Sequence, residues 1–374
     1  MRGVYPPCVA CGTTPHMLLL LSLALAAEPL PVELKPIGYV RPSGSWIQDD
    51  PSSTADQDGF SVNARIGLYA KYGSCGVDAN VEAELTPEFA LKDGWVRGKP
   101  VCWLGLQVGQ FKVPFSISQL ASDTRRQLPL NPRIVTAAGI TRDIGVALEW
   151  KLPIQKKIRF TGTAGMFNGE GSNRIQNGNQ DFLYALRGVI TPFGARDAVF
   201  EGSDQSLYLG VGGGWVYNLS GADESAEERN AFGADLQFAY RWFSVQAEYI
   251  DVDVFHASTD VADFHIRGGY GQLGMFIPGT WTEDHLEVVG RYEVGDPNTA
   301  FADPGLSGSG ATAIPTFQAA SVATVGLNIY FMHSDSKTTL FHDVKLQMAY
   351  SHPNETEGAA VLDDNFVATG TVRF

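Results

Sequence analysis

From Pro36 to the last residue the chain repeats one theme, about ten residues of alternating apolar and polar side chains followed by a turn. Successive side chains leave a strand on opposite faces, so period-two alternation predicts strands with unlike faces. In Phe232-Gly233-Ala234-Asp235-Leu236-Gln237-Phe238-Ala239-Tyr240 the polar residues Asp235 and Gln237 share one phase, and the apolar side chains fill the other. Val325-Gly326-Leu327-Asn328-Ile329-Tyr330-Phe331 and Val344-Lys345-Leu346-Gln347-Met348-Ala349-Tyr350 repeat the pattern. Strands are predicted to start near 37, 59, 77, 89, 101, 142, 157, 181, 206, 231, 243, 265, 284, 321, 340 and 364. That makes sixteen, an even number, as bacterial single-chain barrels require.

The predicted connections alternate in length. Short turns fall at Gly73–Gly76, Gly98–Pro100, Pro153–Lys157, Trp242 and Pro278–Glu283, and longer segments at 49–58, 112–141, 169–180, 218–230, 255–264, 295–320 and 353–363. With both termini periplasmic, every long segment lies outside, which is the asymmetry of an outer-membrane barrel. A soluble sandwich would bury the apolar phase in a core instead. Aromatics near strand ends favour the membrane: Trp150, Phe193, Tyr240, Trp242, Phe276, Trp281, Tyr330 and Phe331 on the periplasmic side, and Tyr249, Tyr292 and Tyr350 on the outer side. The last strand, Phe366 to Phe374, ends on an aromatic. The fold class expected is all-β: a sixteen-stranded antiparallel transmembrane β-barrel.

Composition narrows the function. At 44% hydrophobic and 18% charged residues the chain is too apolar for disorder, and its net charge of -14 argues against nucleic acid as a partner. No run of 18 apolar residues exists, so no transmembrane helix is predicted. Met17 to Ala26 forms an apolar run suited to a secretory signal, and Ala24-Leu25-Ala26 is a cleavage signature. Residues 1–26 therefore read as a signal peptide, with Met17 as an alternative start, and 27–374 as the barrel. Cys8 and Cys11 precede that run and would be discarded with it. Cys75 and Cys102 remain, an even pair able to close a disulfide in an oxidising compartment.

One segment stands apart. Between Phe111 and Arg142 lie Lys112, Arg125, Arg126, Arg133 and Arg142 against Asp123 and Asp143, five cations to two carboxylates in an acidic chain. Pro114, Pro129 and Pro132 stiffen the segment, and Phe115, Ile117, Leu120, Leu128 and Leu130 give it more apolar surface than a solvated loop needs. A sixteen-stranded barrel is wide enough for water, so 112–141 is expected to fold inward as its constriction. Its five cations are the candidate anion-binding residues, since low-dielectric walls focus their field. The alternative is that they pair with wall carboxylates and only hold the loop. Period-two counting also turns Arg65, Lys71, Arg159, Arg187, Arg241 and Arg291 towards the lumen, with Lys151 and Lys345. It turns Asp78, Glu82, Glu84, Asp143, Glu149, Asp235, Glu248, Glu287 and Glu293 there too, so the wall has no single sign.

The runs Val108-Gly109-Gln110-Phe111-Lys112-Val113-Pro114-Phe115-Ser116 and Arg142-Asp143-Ile144-Gly145-Val146 resemble the phosphate-selective porin O and P family. Similar stretches follow at Ala164 to Gly171, Arg187 to Gly194, Phe243 to Tyr249 and Val325 to Tyr330, in order across the chain. The resemblance implies a trimeric porin of the bacterial outer membrane that passes phosphate or related anions. The chain departs from the family pattern at Gln107, where a basic residue often stands. That departure bears on phosphate more than on the pore.

Other motifs read as structure. Gly210-Val211-Gly212-Gly213-Gly214 precedes no helix, so it serves a strand bend or close packing of the loop rather than a phosphate cradle. The histidines show no paired metal spacing, and no cofactor is expected. Asp223-Glu224, Glu227-Glu228, Asp251, Asp253 and Asp363-Asp364 gather near outer loops, as solvated charge or as sites for divalent cations bridging lipopolysaccharide. No nucleophile, histidine and carboxylate stand at a telling spacing, which argues against a barrel enzyme. The reading is passive diffusion of small hydrophilic solutes, favouring anions such as phosphate. Its competitors are a general or weakly cation-selective porin and a non-conducting structural barrel.

Overall fold

The computed structural model describes residues 32–48, 58–73, 75–154, 158–178, 181–194, 207–221, 226–258, 263–279, 285–300, 320–333, 342–355 and 364–374. The expected signal peptide 1–26, with Met17, Cys8 and Cys11, lies outside the described residues, as does Trp281. Sixteen strands follow one another: β1 (Val32–Ile47), β2 (Gly59–Tyr72), β3 (Val77–Glu84), β4 (Ala90–Val101), β5 (Leu104–Lys112), β6 (Arg142–Pro153), β7 (Arg159–Phe167) and β8 (Leu183–Phe193), then β9 (Tyr208–Ser220), β10 (Glu227–Tyr240), β11 (Phe243–His256), β12 (Phe264–Phe276), β13 (Leu286–Ala300), β14 (Ala320–His333), β15 (His342–Glu355) and β16 (Asn365–Arg373). Each pairs antiparallel with its neighbours in sequence, and β1 closes the barrel on β16.

The two phases of the strands sort as a membrane wall demands. Val81, Val96, Val108, Leu186, Val211, Leu273 and Val325 are exposed, while Asn80, Gln107, Arg187, Asp235, Gln237 and Glu248 are buried. Exposed apolar and buried polar residues on one sheet are inverted for water and correct for lipid. Closure pairs every interior strand on both sides, so no edge meets the hydrocarbon.

Local differences have local causes. The turn predicted at Gly98–Pro100 falls instead at Cys102 and Trp103, because β4 runs on to Val101. Cys102 is disulfide-bonded to Cys75 in the β2–β3 turn, with 4.8 Å between their Cα atoms, so two neighbouring periplasmic turns are stapled together. Phe276 and Tyr330 do not join the periplasmic aromatic girdle. Both are buried and stack on each other at 5.6 Å, with the Tyr330 hydroxyl donating to Glu287 at 2.7 Å.

The segment between β5 and β6 is ordered by two short helices, α1 (Ile117–Leu120) and α2 (Arg133–Ala137), with a 3-10 turn at Asp123–Arg125 between them. Ser116 starts α1, its hydroxyl accepting from the Gln119 amide at 3.2 Å. Val113, Phe115, Ile134, Val135, Ala138 and Ile140 share one apolar cluster with Ile250, Val252, Val254 and Ile266 of β11 and β12. Leu128 packs separately with Val289 and Ala349. Phe115 lies over glycines of two adjacent strands. A Cβ on Gly214 would come within 3.2 Å of its ring, as would one on Gly233. The glycine run of β9 thus lets the segment approach the wall. Burial of each large side chain away from lumen water stabilises this arrangement by roughly 1.5–3 kcal/mol.

Candidate functional site: the β5–β6 segment and the lumen beside it

Polar groups of the wall meet the backbone of this segment along its whole length. Arg187 Nη1 donates to the Phe115 carbonyl at 2.5 Å, and the Glu248 carboxylate accepts from the Ile117 amide at 2.9 Å. Further on, Gln347 Nε2 donates to the Arg126 and Gln127 carbonyls at 3.0 and 2.9 Å, and Asn328 Nδ2 to the Gln127 carbonyl at 2.8 Å. The Gln127 side chain itself donates to Glu287 at 2.5 Å and accepts from Gln272 at 2.8 Å. Arg41 donates to the Pro129 carbonyl at 2.8 Å, Arg291 to the Leu130 carbonyl at 2.9 Å, and the Arg133 amide to Glu293 at 2.6 Å. These partners stand on β1, β8, β11, β12, β13, β14 and β15. The segment is therefore held against the inner face of the wall, by neutral amides as much as by charges.

On its other side a cavity of about 640 Å³ remains between the segment and β2 to β8. Its charged lining comprises Arg65, Lys112, Arg125, Arg142 and Arg187, five cations, against Glu82, Asp93 and Glu149, three carboxylates. Lys112 ends β5, and its ammonium donates to the Ala121 carbonyl at 2.5 Å and the Leu120 carbonyl at 3.3 Å. Arg142, opposite it across the β5–β6 ladder, forms a two-point pair with Asp93 at 3.1 and 3.3 Å. Arg125 is an exposed member of the cavity lining.

The other expected site residues divide. Arg126 lies away from that cavity and pairs with Asp123 at 3.0 Å, while Arg133 is the first residue of α2. Arg65 lines the cavity and also binds Asp123, at 2.8 Å. Arg187 pairs with Asp235 at 2.7 Å and Arg291 with Glu293 at 2.8 Å, both inside the barrel. Lys71 and Arg159 share the phase of Arg65 and of Thr161 and Thr163, near the periplasmic ends of β2 and β7. Arg241 is a correction: it occupies the β10–β11 turn, exposed, at a φ of 52°, because the hairpin closes in two residues there.

Asp123 is the centre of this electrostatic arrangement. Burial alone would raise its carboxyl, but Arg126 and Arg65, with Lys112 and Arg41 behind them, hold it well below the usual carboxylate range. One carboxylate thus latches the segment to β2 and offsets only part of the surrounding positive charge. Sequence reading found the cations and missed the amides Gln127, Gln272, Asn328 and Gln347. The inward phase of Gln272, Asn328 and Gln347 was the available signal, but a neutral side chain draws no attention in a charge count.

The sequence profile of the phosphate-selective porin O and P family matches residues 74–370. A search of curated proteins finds no match. Among solved structures, the barrel resembles OmpF of Salmonella typhi, determined in complex with daunomycin, at a TM-score of 0.59 and 10% identity, covering 91% of this chain and 97% of that one. It resembles a loop-deletion mutant of OmpT, an outer membrane protein of Vibrio cholerae, at a TM-score of 0.57 and 10% identity, with 92% and 99% covered. The anion-selective porin from Comamonas acidovorans aligns at a TM-score of 0.56 and 12% identity, with 92% and 100% covered. At such identities the structures speak for the fold, and the profile for the family. The chain belongs to the phosphate-selective porin O and P family, and it is a channel of the bacterial outer membrane for small hydrophilic solutes.

Proposed function

We propose that this channel prefers anions, phosphate among them, and that the β5–β6 segment is its constriction. The observation carrying the reading is the cavity beside that segment, with five cations to three carboxylates in its lining. Lys112 lines that cavity with its ammonium on the Leu120 and Ala121 carbonyls, whereas Arg142 shares Asp93. A partly dehydrated anion entering between low-dielectric walls would be stabilised by Lys112, Arg125 and Arg142, with Arg65 and Arg187 further along. No covalent step is involved. The family description points to phosphate, and one barrel of similar fold is described as anion-selective. Residues 1–26 would be removed on export, and the mature barrel would assemble as a trimer among outer-membrane lipids, as the family resemblance implies.

The test is the reversal potential of the purified channel in a KCl gradient across a planar bilayer. The wild type is expected to favour chloride, and Lys112→Ala with Arg142→Ala to reduce that preference at least several-fold while conductance persists. A cation-selective wild type would overturn the anion reading and leave the pore intact. The second reading, a general porin, is favoured by the pairing of Arg65, Arg142 and Arg187 with carboxylates. It predicts a reversal potential near zero and no competition of chloride current by phosphate.

A further inference from the structure

At the outer ends of β11 and β12 the two phases exchange character. Ile250, Val252 and Val254 turn inward and are fully buried under the β5–β6 segment, as is Ile266 of β12. The charged residues between them consequently face out of the barrel. Asp251 and Asp253 share the phase of exposed Tyr249, and His265 and Arg267 that of exposed Leu273 and Met275. Tyr249, with Tyr292 of β13, is 47% and 57% exposed on the membrane side, as interfacial tyrosines are. One step above that belt begins the level of the lipid headgroups.

There, one ligand atom each from Asp251, Asp253 and His265 lie within 4.8 Å of one another. Asp253 Oδ1 meets His265 Nδ1 at 2.5 Å. The Arg267 Nε–H donates to Asp251 Oδ2 at 2.9 Å, and the arginine is 57% exposed. Two carboxylates and an imidazole form a mixed oxygen and nitrogen donor set suited to a divalent cation, and the exposed Tyr249 hydroxyl also donates to Asp251 Oδ2 at 3.2 Å. Carboxylates facing anionic headgroups repel them unless a cation intervenes, and Arg267 adds a donor matched to phosphate. The barrel's outward face therefore carries both the bridge and the clamp.

We propose that Asp251, Asp253 and His265 bind a divalent cation on the outer wall, and that this cation and Arg267 together hold a phosphate of an outer-leaflet lipid headgroup. The proposal rests on the membrane placement of the barrel and is independent of solute preference. The first measurement is titration of the purified full-length barrel with Mn²⁺ alone. One saturable site per chain is expected, weakened at least tenfold in Asp253→Asn and in His265→Ala, each variant checked for native heat-modifiable migration. Absence of saturable binding at millimolar Mn²⁺, or binding unchanged in both variants, overturns the site.

The second measurement is co-sedimentation with vesicles containing phosphorylated lipid A or its dephosphorylated form. Mn²⁺-dependent enrichment of the phosphorylated lipid around the wild type, lost with chelator and in Arg267→Ala, supports the bridge. Mn²⁺ binding without such enrichment overturns it. Displacement of the lipid by millimolar orthophosphate would assign the site to free phosphate and equally overturn it. Because these side chains lie outside the lumen, Asp253→Asn is expected to leave the KCl reversal potential unchanged. A failure of the anion reading would appear only in that potential, and a failure here only in the lipid.

Discussion

Phe115 and Asp123 fix the β5–β6 segment by opposite means. Phe115 is almost wholly buried on the glycines of β9 and β10, so Phe115→Ala leaves a void that strand backbones cannot fill. The expected cost to the docked segment is about 3–5 kcal/mol, read as a noisier open channel in single-channel recordings with the barrel's SDS resistance retained. Asp123 instead offsets Arg65 and Arg126. Asp123→Asn should shift the reversal potential further towards anions. The pH dependence follows from its depressed folded value: the latch stabilises above the unfolded carboxylate pKa of about 3.9 and is lost only as pH falls through the lower folded value. Selectivity carried by this latch should therefore persist to about pH 4, where ordinary carboxylates are half neutral. An anion preference that already rises as pH falls from 7 to about 5 would contradict that assignment.

Among elements, the strands were legible because each side chain answers to lipid or to the lumen, and period two records the choice. Predicted and observed strand starts agree most closely at 59, 77, 142 and 243, where a turn or loop signal coincides with the phase. The reading slipped where another interaction decides. β4 runs through Gly98, Lys99 and Pro100 because Lys99, with Arg97, reaches Asp78 on the adjacent strand and because Cys102 is tied to Cys75. Phe276 and Tyr330 were counted by position when their phase sends them inward. Arg241 was counted with the strand, although the turn predicted at Trp242 takes it in as its first residue. For the stapled turns, Cys75→Ala removes a constraint across 27 residues, which chain entropy sets at roughly 3.5 kcal/mol. Its heat-modification temperature should fall, and reductant should lower the wild type's to match.

For the whole molecule, the wall is loaded unevenly. The β5–β6 segment leans on β8 to β15, and the open cavity lies against β2 to β8. The basic loop was visible in the sequence, and so was its apolar surface. The side of the barrel it leans on was not, because it depends on Gly214 and Gly233 meeting Phe115 across more than ninety residues of chain. Nor was the pairing of most lumen cations, since Asp93, Asp123 and Asp235 come from three separate parts of the sequence.

The reversed phases of β11 and β12 have a mechanical consequence. In that sector the barrel is two layers thick, a sheet and a packed loop within it, while around Asn80, Gln107, Glu149 and Thr161 a single sheet stands between lipid and the cavity. Opening fluctuations of the thin sector need break only ladder hydrogen bonds, and those of the thick sector must also undock an apolar layer. Amide hydrogen exchange should accordingly be slower at Ile250, Val252 and Ile266 than at Glu149 and Thr161 beside the cavity, with Phe115→Ala narrowing the gap. The pore would then have a rigid side and a compliant side, and passing solutes would run along the compliant one.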